Sequence, residues 1–171
     1  MASLPVCLSG REVGEAERAL GFVLPPVLGG LYRSVANGGF GPEYCLLPLI
    51  GGGRSAVGEY EALRAGPSAC WPRGVLPILD WGCGMYAAVD CLVPGAPVLL
   101  FEPDAVGDDW ADAWFKDSPT LARWLLSWLD GTGWWEEDDV TDEEAAYLGP
   151  WPDAGQRLLG FGGISPSSGR C

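Results

Sequence analysis

Along the first third of the chain, apolar residues recur every three or four positions, the spacing that places them on one helix face. Val13, Ala16 and Leu20 predict an amphipathic helix over residues 11–20, and Gly21 suits the position just beyond its last turn. Phe22-Val23-Leu24-Pro25-Pro26 interrupts that pattern. The proline pair then opens a second helix whose apolar positions are Leu28, Leu31, Tyr32 and Val35. Asn37-Gly38-Gly39 ends it, because Asn and Gly tolerate the left-handed backbone that such an ending needs. Residues 44–50 are an apolar run with Pro48 inside, at best an edge strand. Residues 57–63 predict a short helix leading into a Pro/Gly-rich link over 66–74.

The pattern then changes to short apolar runs separated by turn residues. Residues 76–81 and 85–91, joined through Gly82-Cys83-Gly84, predict a hairpin, and a strand over 98–102 follows the Pro94-Gly95 turn. Short links between consecutive strands favour antiparallel neighbours, so a small meander is expected. Asp117-Ser118-Pro119 reads as a cap residue with proline at the first helical position. The helix predicted over 119–129 carries one stripe of Leu121, Trp124, Leu125, Trp128 and Leu129, which should cover a face of the sheet, and Gly131 stops it. From about residue 132 an acidic and then Gly/Ser-rich extension follows, whose end, 160–171, is expected to fray. The fold class is α+β: a central antiparallel sheet packed against N-terminal and C-terminal helices in one domain.

Composition agrees with a packed domain and narrows its chemistry. The chain has 171 residues, 48% of them apolar and nine of them tryptophan, enough burial to offset the entropy of ordering. No apolar run approaches the roughly 18 residues that span a bilayer. The N-terminus lacks the basic and apolar regions of a secretory signal. Six cysteines are scattered without a CxxC pair and there is no histidine, so no metal site is expected and free thiols in a reducing cytoplasm are. Ser-His-Asp, Cys-His and His-ligated metal chemistry are all excluded by the missing imidazole.

Charge is unevenly placed. The net charge is −13, yet residues 1–75 balance six acids with six arginines, so the whole excess lies beyond them. Such a surface repels nucleic acid and anionic membranes and attracts basic partners. The exposed candidates for that attraction are Asp104, Asp108, Asp109 and Asp112, together with Glu136, Glu137, Asp138 and Asp139 at the head of a longer acidic run. Trp134 and Trp135 precede that run; adjacent residues on a regular element point apart, so at least one is expected at the surface as an interface anchor.

Three other features invite a chemical reading. Gly51-Gly52-Gly53-Arg54-Ser55 lacks the Gly-Lys-Ser/Thr ending of a phosphate loop and reads as a flexible link. Cys83, with no histidine to activate it and acids nearby, reads as a turn residue and not a nucleophile. Asp80 and Asp90 flank the hairpin, and a carboxylate pair runs glycoside hydrolysis only at about 5–9 Å separation.

Leu24-Pro25-Pro26, Leu28, Leu31-Tyr32 and Asn37-Gly38-Gly39, followed by Leu76-Pro77-Ile78 through Asp80-Trp81-Gly82-Cys83-Gly84, Asp90-Cys91 and the helix ending in Trp128-Leu129-Asp130-Gly131, resemble the sequence words of the SUKH superfamily. The resemblance spans about residues 12–131. It implies a curved antiparallel sheet packed on helices and no family-wide catalytic residue; no cofactor is expected. It also implies a protein-binding role: bacterial members are thought to neutralise toxins, often nucleases, by direct binding, and fungal members act as regulatory scaffolds. The expectation is therefore a cytoplasmic, non-catalytic immunity protein with a basic toxin domain as its partner. The alternatives are a regulatory scaffold and, third, a carboxylate-dependent hydrolase.

Overall fold

A computed structural model describes residues 3–66, 70–136 and 148–159. These form five α-helices and one four-stranded antiparallel sheet, an α+β fold.

The first helix, α1 (Gly10–Leu20), starts in a capping box: the Ser9 hydroxyl accepts from the Glu12 amide and the Glu12 carboxylate accepts from the Ser9 amide. It ends at Gly21, whose φ of 77° is left-handed. Val13, Ala16 and Leu20 are buried, as the periodicity requires. Leu24 then turns inward, its amide tied to the Glu17 carboxylate at 2.8 Å. Pro26 opens α2 (Pro26–Ser34), which buries Leu28 and Tyr32 completely. The Tyr32 hydroxyl donates to the Leu47 carbonyl at 3.0 Å. Val35, expected on the buried face, is 44% exposed, because the helix has already ended at Ser34.

Asn37-Gly38 has a physical task beyond stopping α2. The Asn37 amide group donates to the Ile50 carbonyl and accepts from the Leu49 amide, both at 2.8 Å. Gly38 has φ 80°, and a Cβ there would stand 2.6–2.7 Å from the backbone of residues 46–48. The pair thereby fastens the 44–50 segment to the helix. That segment forms no strand: Cys45 is left-handed, the Leu47 amide donates to the Ile78 carbonyl, and Tyr44 meets Trp81 edge-on. Ser55 caps α3 (Ala56–Ala65), whose Tyr60 meets Phe22 edge-on.

The strands are β1 (Val75–Gly82), β2 (Met85–Asp90), β3 (Val98–Phe101) and β4 (Trp114–Ser118), arranged in that order. Cys83 and Gly84, at φ 51° and 85°, form the two-residue turn of the β1–β2 hairpin, both left-handed as a type I′ turn requires. Tyr86, Phe101 and Trp114 stand in register across β2, β3 and β4. Trp71 lies tilted or edge-on to all three, with ring centroids at 5.5, 5.2 and 4.8 Å. Its indole donates to the Val75 carbonyl at 2.6 Å. Each such pair adds about 0.5–1.5 kcal/mol beyond burial.

Two expectations fail around β4. Asp117 and Ser118 do not open the following helix; they end a strand, and Thr120 caps α4 (Leu121–Leu129). Along α4 the stripe buries Leu121 and Trp124, while Leu125 and Trp128 are half-buried and Leu129 is 68% exposed. Residues 148–159 belong to the domain body. The Lys116 amide donates to the Gly149 carbonyl and the Trp151 amide to the Trp114 carbonyl, each at 2.8 Å, laying this segment along β4. Trp151 packs on Trp114, and α5 (Ala154–Leu159) delivers Arg157 to Asp90. Residues 160–171 lie outside the described residues. None of the described helices is long and apolar enough to cross a membrane.

Candidate functional site

Antiparallel order gives the sheet two ends. At one, the hairpin turn and the β3–β4 connection lie together; at the other are the β2–β3 turn, the start of α4 and Arg157.

The β3–β4 connection is a built surface. Glu102 caps a 3-10 turn over Pro103–Ala105 by accepting from the Asp104 amide at 3.0 Å. Asp109 caps a second turn over Trp110–Ala113 by accepting from the Ala111 amide at 3.1 Å. Trp110 anchors it, stacked on Phe101 at 6.2 Å and 22°, and the Glu102 amide donates to the Ala113 carbonyl at 2.8 Å. Asp104, Asp108, Asp109 and Asp112 are all exposed on this scaffold. No Lys or Arg occurs between residues 102 and 115, and none of the four aspartates forms an ion pair with a described residue. Their field is directed at solvent.

The tryptophan pair lies in a different cluster. Trp134 and Trp135 start a 3-10 turn and both are half-buried, against the expectation that one would be exposed. Trp81 explains this: its ring lies 5.3 Å from Trp134 and 5.5 Å from Trp135, and Trp124 stands 5.1 Å from Trp135. The two indoles converge on partners because the tight turn does not alternate its side chains as a strand does. Glu136 is exposed and accepts from the Trp135 indole at 3.1 Å. Glu137, Asp138 and Asp139 lie outside the described residues.

Asp117 sits beneath this cluster. One of its oxygens accepts from the Trp124 indole at 3.0 Å and the Trp134 indole at 3.3 Å. Burial nevertheless dominates and holds its carboxyl up at about 6.

The residues that invited catalytic readings are accounted for by structure. Asp80 pairs with Arg54 and accepts from the Gly82 amide at 2.7 Å. Arg54 also forks onto Glu59 at 2.8 and 3.1 Å, and the Tyr86 hydroxyl donates to Glu59 at 2.8 Å. The loop arginine is therefore engaged by carboxylates and not free for a phosphate. Asp90 is buried and held by Arg157 at 2.6 and 3.0 Å. Asp80 lies opposite Tyr86 in the register, four residues from Asp90, which offsets the two backbones by about 13 Å along the strands. That exceeds either glycosidase spacing, and each acid already has an arginine. Cys83 is exposed in its turn; burial pushes the Cys91 thiol up to about 12. The five described cysteines are free, Cys171 lying outside the described residues. No group of three or more metal-ligating side chains is assembled among the described residues.

Sequence reading missed Arg54, Asp117 and Arg157 as partners. The only available signal was chemical: an isolated charge in an apolar run needs a counter-group, but its identity depends on the folded register.

Comparison with protein-family models returns no match, and comparison with curated proteins returns none either.

Proposed function

We propose that the chain is a non-catalytic protein-binding domain of the immunity type: it docks on a basic toxin domain in the cytoplasm and blocks it. The observation that carries this reading is the β3–β4 connection, a loop held by two capped turns and Trp110 that presents Asp104, Asp108, Asp109 and Asp112 without a cation among them. Unpaired charges on a firm scaffold attract an opposite surface without reorganising, raising encounter rates. A nuclease suits this surface best, because a groove that binds phosphates is itself positive. The sequence words that resemble the SUKH superfamily support the same class of function, and free thiols suit a reducing compartment.

The test is capture of the partner from the native host, followed by expression of its toxic domain with and without this chain. Growth arrest by that domain, relieved by co-expression, is the expected result. A partner whose activity is unaffected by the chain refutes the immunity reading and favours a regulatory scaffold.

A further inference from the structure

The end of the sheet opposite the acidic loop contains a cavity of about 360 Å³, within the range of roughly 300–1,000 Å³ common for small-molecule sites. Its apolar wall includes Val93, Pro97, Leu99 and Trp151, of which Leu99 and Trp151 are buried and fixed. Four ionisable side chains also line it: Asp90, Lys116, Asp117 and Asp153.

These four are not equivalent. Asp90 is neutralised by the two contacts from Arg157. Asp117 has one oxygen already engaged, accepting from the indoles of Trp124 and Trp134. Lys116 and Asp153 remain. Both are exposed, and neither side chain makes a hydrogen bond or ion pair with a described residue. Their backbones are nonetheless held. Lys116 pairs with Leu99 across the sheet and donates its amide to Gly149, and the Asp153 carbonyl accepts the Arg157 amide at 2.9 Å.

A cavity with an apolar wall, one unpartnered ammonium and one unpartnered carboxylate complements a ligand that has an apolar body and carries both charges. We infer that this cavity binds a small zwitterion of the apolar α-amino acid class, its carboxylate on Lys116, its ammonium on Asp153 and its side chain against Leu99, Pro97 and Trp151. A purely anionic ligand would face Asp153 unpaired, and a purely cationic one would face Lys116; the zwitterion avoids both repulsions. The site is separate from the acidic loop and does not depend on the toxin-binding reading.

Calorimetric titration of the full chain with L-leucine, L-phenylalanine and L-tryptophan, beside their N-acetyl and amide derivatives, tests it. At least one free amino acid should bind with Kd at or below about 1 mM, and removing either of its charges should weaken binding about tenfold. Lys116→Gln should abolish discrimination against the amide, which lacks the carboxylate. Asp153→Asn should abolish discrimination against the N-acetyl form, which lacks the ammonium. No heat with any free amino acid up to about 10 mM, equal binding of charged and blocked forms, or discrimination retained in both variants would overturn the site. Should a variant melt early, the derivative series on the parent protein decides the question alone.

Discussion

The two ends of the sheet treat the same chemical group in opposite ways. At the Arg157 end, Asp90 is 1% exposed and receives two guanidinium contacts, and Asp117 is enclosed by two indoles. At the hairpin end, Asp104, Asp108, Asp109 and Asp112 stand in water, and none is ion-paired with a described residue. Buried carboxylates need partners to be tolerated at all. Exposed ones do not, so their crowding contributes little to folding and instead shapes the field that an approaching protein meets.

The largest effect belongs at the partnered end. Arg157→Met should destabilise the protein by about 3–5 kcal/mol in denaturant melts, since it strands the buried Asp90 charge. Adding Asp90→Asn should restore most of the loss. A single variant within about 1 kcal/mol of the parent would mean that Asp90 is solvated and that the two ends do not differ.

Asp117→Asn sharpens the contrast through pH. The folded carboxyl titrates near 6 against an ordinary 3.8, so between these values the folded state keeps a proton that the unfolded state has released. Its contribution to stability therefore falls as pH rises from about 4 and levels off above about 7, a change of up to roughly 3 kcal/mol. The asparagine variant lacks this slope. Relative to the parent, it should be more stable at pH 7.5 than at pH 4, and a pH-independent difference between the two would show that Asp117 is not enclosed.

The smallest stability effect belongs to the loop. Replacing Asp104, Asp108 and Asp112 by Asn, and Asp109 by Asn so that its turn keeps a capping oxygen, should change stability by less than about 1 kcal/mol in total. A larger loss would identify the carboxylates as structural.

The contrast was only half legible in sequence. Helices α1 and α2, the hairpin and β3 follow from periodicity and turn residues, because each is specified by neighbours within a few positions. The acidic loop could also be read, since Asp104–Asp112 has no compensating cation in its own stretch. β4 could not: Trp-Phe-Lys-Asp-Ser shows no sustained alternation, and it is a strand because β3 and residues 149–151 pair with it. The same holds for Arg157 and Asp90, 67 positions apart. Thr120 rather than Asp117 caps α4 because pairing with β3 extends through Ser118, moving the helix start past Pro119. The half-burial of both Trp134 and Trp135 depends on Trp81, more than fifty residues earlier in the chain.

The central claim, that the loop at the hairpin end is a docking surface, is tested most directly by the association rate of the captured partner with the parent and with the four-aspartate variant. At low ionic strength the variant should associate about tenfold or more slowly, and the gap should narrow at physiological salt, where exposed charges are screened over about 8 Å. Equal, salt-insensitive association of parent and variant would contradict the account.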